Sequence, residues 1–183
     1  MRVTHEIEIW PDSVRLDGKE ITTTERGEKL LSELYRTRIG DYPRFYKMDT
    51  LCRLGFVASE LLLQAEKAEK QEMPTNRVVI LANRSASIKN DTDFLHTIEP
   101  NNYYPAPTLF VYTLPNIVTA EIAIRNHYTA ETAFYILPEP ELLNPLVQTT
   151  LHQPSMPQSA IAGWCECSNP DTYHAKIQII WNN

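Results

Sequence analysis

The side chains of this sequence that could do chemistry fall into four groups. Cys165-Glu166-Cys167 followed by His174 offers two thiols and an imidazole, the donor types of a zinc site. The spacing argues against one. Zinc-binding cysteines are usually separated by two to four residues, and a one-residue gap in a strand puts both thiols on a single face, as packing residues of a core or edge. Glu139 and Glu141 flank Pro140 where an apolar helical stripe begins, and acidic side chains suit a first turn. His127 follows a helical pattern and suits its C-terminal end, where a cation is favoured, while His96 lies in a polar stretch. Tyr103, Tyr104 and Tyr112 suit either a hydrophobic cleft or a dimer interface. Cys52 lies near the apolar face of a helical pattern and reads as packing.

Periodicity names the elements that must position these groups. His5 to Trp10 alternates polar and apolar residues through Ile9, the period of a half-buried strand. Residues 11–45 are mixed and charged and predict no clear element. Asp49 caps a helix from Thr50 to about Lys70, with Leu51, Leu54, Ala58, Leu61, Leu62 and Ala65 on one face. Arg77 to Ala82 is a continuous apolar strand of the kind buried on both faces. Asn83 to Pro107 is polar and turn-rich, a long connection of the sort used for binding or as a lid. A helix follows Pro115-Asn116, with Ile117, Ala120 and Ile124 at helical spacing; Thr132 to Leu137 is a short strand; Pro140 opens a helix carrying Leu142, Leu143, Leu146 and Leu151. Ser159 to Trp164 is a further strand. His174 to Trp181 alternates, which predicts a strand at an edge or half-exposed, and Ser168-Asn169-Pro170-Asp171 is too short for a crossover, so it runs antiparallel to its predecessor. Strands alternating with helices predict an α/β domain.

Bulk composition narrows the function. The 183 residues fit one domain with a real core. A net charge of -6 disfavours nucleic acid and anionic membrane as partners, and no apolar run reaches the ~20 residues of a membrane span. The N-terminus lacks the apolar stretch of a secretory signal, and three cysteines cannot all pair, so free thiols in a reducing cytoplasm are expected. Five glycines against thirteen prolines, with no glycine-rich phosphate loop, give no sign of a nucleotide cofactor, and none is expected.

Four blocks, in order over about residues 45–167, resemble the N-terminal half of a β-ketoacyl-acyl-carrier-protein synthase of the thiolase-like superfamily. Phe45-Tyr46-Lys47-Met48-Asp49 resembles the family's R-M-D helix start, and Arg77-Val78-Val79-Ile80-Leu81-Ala82-Asn83 its R-V-G-V-I-x-G strand. Asn116 to Arg125 resembles N-M-x-A-G-H-L-S-I-R, and Ser159 to Glu166 resembles A-D-V-x-L-A-G-G-T-E-A. The resemblance implies a thiolase-like half-fold: a mostly parallel five-stranded sheet with flanking helices and an antiparallel last strand, as one domain over residues 1–183.

The resemblance also marks a departure. The family's nucleophilic cysteine sits at a strand-to-helix elbow, which falls here on Leu137-Pro138-Glu139-Pro140. Glu139 stands at the expected position, and neither Cys nor Ser is present, so no acyl-thioester can form there. The two family histidines belong to a second half that this sequence does not contain. No catalytic residue is therefore assigned; Tyr112, Asn116, Glu121 and Phe134 are candidates for an acyl pocket or an interface. The implied role is a non-catalytic accessory or chain-length-type subunit of fatty-acid, polyketide or pigment-type synthesis, inactive alone. Its implied partners are a second copy or a full-length ketosynthase-like subunit, together with an acyl carrier protein. A half-enzyme or malonyl-thioester decarboxylase completed by a partner is a second reading, and an acyl-thioester-binding module without chemistry a third. A lone half should expose apolar surface, with contacts through the helix from Asn116 and the strand Ala133–Leu137.

Overall fold

The computed structural model describes residues 1–69, 74–101 and 105–182. Lys70, the expected end of the long helix, and the candidates Tyr103 and Tyr104 lie outside the described residues. Strand β1 (Arg2–Trp10) turns into β2 (Ser13–Leu16) and β3 (Lys19–Glu20). Asp17 and Gly18 have φ of 50° and 75°, the two left-handed positions of a tight hairpin turn, which an Asp-Gly pair adopts readily. Helix α1 (Glu28–Leu34) runs on through a π-helical turn at Tyr35–Ile39, and a 3₁₀ turn at Pro43–Lys47 leads to α2 (Thr50–Glu69). The Asp49 carboxylate caps α2, its Oδ1 accepting the Cys52 N–H at 2.9 Å.

Strand β4 (Val78–Asn83) is buried along its whole length, as its unbroken apolar run dictates. The long connection after it contains α3 (Ile88–Leu95) and α4 (Pro107–Val111) and leads to α5 (Ile117–Asn126). Then come β5 (Thr132–Ile136), a 3₁₀ turn at Pro140–Leu142, α6 (Leu143–Leu151), β6 (Ser159–Asn169) and β7 (Thr172–Trp181). Among the described residues no helix is long and apolar enough to cross a membrane.

Among the described residues seven strands form one sheet in the order β3-β2-β1-β7-β6-β4-β5. This corrects the mostly parallel five-stranded sheet. β4 pairs in parallel with β5 and β6, while β6–β7, β7–β1, β1–β2 and β2–β3 are antiparallel. The extra strands come from residues 13–20, whose short charged segments carry little periodicity. The last strand does run antiparallel to its predecessor, but it is not an edge: β7 lies between β1 and β6. Its alternation arises because one of its faces meets the larger core, while the other meets the smaller core at Ile180 and is more open elsewhere.

Helix α2 covers one face of the sheet and is buried almost all round, between Ile7, Ile9, Ile177 and Ile179 of the strands and the helices α1 and α5. At Gly55 a Cβ would stand 2.4 Å from Val118 Cγ2, so α2 and α5 approach too closely for a side chain at 55 while Val118 keeps its place. Helix α6 covers part of the opposite face through Leu143, Val147 and Leu151, which pack on Val78, Ile80, Ala160 and Ala162.

Candidate functional site

In open sheets that contain parallel strands, chemistry tends to gather where those strands end. Here the ends of β4, β5 and β6 meet through hydrogen bonds of side chains and backbone. The Asn83 amide closes the turn after β4, accepting the Ala86 N–H and donating to the Ala86 carbonyl at 2.8 Å each. That turn needs Ala86 at φ 52°. Glu166 on β6 accepts the Arg84 N–H at 2.8 Å and the Ser85 hydroxyl. The Leu137 N–H donates to the Asn83 carbonyl at 2.8 Å, and Ser87 donates to the Thr113 carbonyl at 2.6 Å. One turn thus fixes the exit of β5 and the approach to α5.

Glu139 lies at this end of the sheet, in extended conformation just before the 3₁₀ turn that precedes α6. Its Oε1 is 3.2 Å from Arg84 Nη2, and the same guanidinium donates to the Pro138 carbonyl at 2.7 and 3.0 Å. Both side chains of the ion pair are exposed, at 65% and 62%, so the pair orders the surface and adds little stability. The groups around the elbow are a carboxylate, a guanidinium and amides. They can hold charge and orient a chain, but they include no thiol.

The remaining candidates divide. Tyr112 packs with Asp49, Leu51, Cys52 and Leu114 around a cleft too narrow for a water molecule. Burial pushes its phenol up to about 12 and the Asp49 carboxyl up to about 6. Glu121 turns away from the elbow: its buried carboxylate accepts bonds from Tyr42 Oη at 2.7 Å and Arg44 Nη2 at 2.6 Å, pinning the 3₁₀ segment to α5. Asn116 is exposed at the head of α5, where its carbonyl accepts the Ala120 N–H and the Thr119 hydroxyl. Phe134 packs from β5 against the α2-side core.

Cys165 and Cys167 share the α2 face of β6, while His174 points to the other side and stacks on Trp10 with ring centroids 4.5 Å apart. The three groups therefore never converge on one point. All three cysteines are buried, and burial pushes Cys52 and Cys165 well above the usual thiol range and Cys167 up to about 12. None is a thiolate near neutral pH. His127 ends α5 in the left-handed conformation, φ 57°, in keeping with a helix-terminating role. Sequence reading missed Arg84, Ser85 and Glu166. The available signal was a polar triplet, Asn83-Arg84-Ser85, directly after the most apolar strand.

No protein-family model matches this sequence, and no curated protein matches it either. Solved structures share its fold. One is the ishigamide ketosynthase/chain length factor, 16% identical over 98% of this chain and 61% of that one, with a TM-score of 0.66. A second is a ketosynthase in complex with its chain length factor from Xenorhabdus doucetiae, 10% identical over 100% of this chain and 79% of that one, TM-score 0.64. A third is a type II PKS acyl-carrier protein in complex with its ketosynthase bound to the hexaketide, 13% identical over 97% and 61%, TM-score 0.62. This chain has a ketosynthase-like fold and spans 61% of the length of the first of these.

Proposed function

We propose that this chain is a single ketosynthase N-terminal-like domain over residues 1–183 that serves as a non-catalytic, chain-length-type accessory subunit of a polyketide- or fatty-acid-type assembly system. It docks on a ketosynthase-like partner that supplies the condensing chemistry and receives the acyl carrier protein. The observation that carries this reading is the elbow, where an exposed Arg84–Glu139 ion pair stands at the position the resemblance assigns to a nucleophile. The three thiols, buried and held protonated, offer no substitute.

Docking finds support at β5. It ends the sheet, carries no charge in Thr-Ala-Phe-Tyr-Ile, and leaves a row of backbone donors and acceptors available for pairing. Beside it, Ile124 and Ile136 are about half exposed, and an open groove of about 550 Å³ runs along Ala120, Ala123 and Ala130. Phe110, Val111 and Leu114 add further exposed apolar surface.

The test is co-expression with a ketosynthase-like subunit and a carrier protein from the same cell. A stoichiometric complex is expected, and Glu139→Ala should leave its condensation rate within about twofold, since no general acid or base is removed. A fall of about 100-fold or more would make Glu139 catalytic and favour the half-enzyme reading. Failure to form any complex would sink the subunit role.

A further inference from the structure

The two faces of β1 and β7 are built from opposite chemistry. Toward α2, Ile7, Ile9, Ala175, Ile177 and Ile179 have no exposed surface. On the other side the alternate positions are Glu6, Glu8 and Trp10 on β1, and His174, Lys176 and Gln178 on β7, before Ile180 enters the core beneath α6. Glu6 lies opposite Gln178, and Glu8 opposite Lys176. Lys176 Nζ is 2.9 Å from Glu8 Oε1 and 3.3 Å from Glu6 Oε1, and the Gln178 amide donates to Glu6. Helix α6 stops short of this area, leaving a depression of about 270 Å³ where Leu143 and Asn144 face Trp164, Lys176 and Gln178.

Every charge here finds its partner across one strand pair, with its side chain still 22–44% exposed. Taking such ions out of water is costly, and their existing partners leave no new pairing to offset it. An apolar partner surface therefore has much to lose on this face and little to gain. The β5 side is the reverse, uncharged and unpaired.

We infer that this charged face of β1 and β7 stays in water, and that a partner engages the chain from the β5 side alone. The second clause rests on the subunit role proposed above; the first does not.

A single-cysteine accessibility experiment on the full chain separates the two. The native thiols are buried, so an introduced cysteine reports by itself. Gln178→Cys should react with a maleimide at the same rate, within about twofold, in the free chain and in the co-purified complex, whereas Ile136→Cys should lose at least about tenfold on complex formation, as interface cores exclude solvent. Protection of Gln178→Cys in the complex would overturn the inference while leaving the subunit role intact. If no complex forms, the subunit role fails, and the free chain still decides the face: rapid labelling at 178 supports it, and labelling as slow as that of the native cysteines overturns it. Should Gln178→Cys not fold, acetylation of Lys176 in the unsubstituted protein, read by mass against the exposed Lys19, gives the same decision.

Discussion

β5 and the β1–β7 pair belong to one sheet, yet they solve opposite problems. β1 and β7 are paired along both edges, so their backbones are satisfied, and their open face is made wettable by Glu6, Glu8, Lys176 and Gln178. Among the described residues β5 is paired along one edge only; it carries no charge and has Ile136 half exposed at its end. Polar side chains can adapt a face to water one residue at a time. A free edge is a row of backbone groups that only another strand, or water, can satisfy. The comparison teaches where association is favourable, and it can be attacked from several directions.

The largest effect should come from the joint between the two regions. Arg77, just before β4, and Glu66 on α2 form a fully buried ion pair, and the Trp181 indole at the end of β7 donates to Glu66 at 3.3 Å. Glu66→Ala strands the guanidinium and should cost about 3–5 kcal/mol in urea unfolding, with both regions melting together. A loss below about 1 kcal/mol would show that they are not coupled through this pair. Next comes Ile136→Lys, which places a charge at the free edge. It should weaken partner binding about 100-fold, or about 2.7 kcal/mol, without changing thermal stability, whereas Gln178→Lys should leave binding unaltered. Equal effects at the two positions would erase the contrast.

A smaller effect separates buried from wetted charge by pH. The folded chain raises the Asp49 carboxyl to about 6 through burial, so it binds a proton more tightly than the unfolded chain does. Stability from this group is therefore full below its unfolded value, near pH 4, and is lost as pH rises through about 6. Asp49→Asn keeps an oxygen for the Cys52 N–H and should flatten that slope, gaining about 1–3 kcal/mol at pH 7 and little at pH 4. Chemical denaturation at the two pH values checks it. Smallest of all, Glu8→Gln on the wetted face should move stability by less than about 0.5 kcal/mol.

How far the sequence spoke depended on what each pattern measures. The 50–69 helix was legible because its Asp49 cap and its apolar positions agree, and β4 because a run of five apolar residues admits little else. The hairpin β2–β3 was not read, although Asp17-Gly18 supplied its turn, because the flanking strands are too short to show a period. Of the two alternatives for β7, half-exposed holds and an edge position does not, for a deeper reason. Alternation reports which faces of a strand meet water, whereas edges are decided by neighbours far away in the chain, and β1 and β7 are joined across almost the full length of the sequence. The cluster at the strand ends was hidden likewise, since Arg84, Glu139 and Glu166 become neighbours only through the parallel pairings of β4.

The close approach at Gly55 has a consequence for descent. The atom that would collide with a side chain at 55 is a methyl group of Val118, the far end of a neighbour that can itself shrink. Positions 55 and 118 therefore share one volume. Relatives of this chain that acquired alanine at 55 should have given up bulk at 118, and the pair should drift together through a lineage while either change alone is purged. Gly55→Ala and Val118→Ala should likewise partly rescue one another, since the methyl that one adds fills the space of one of the two that the other removes.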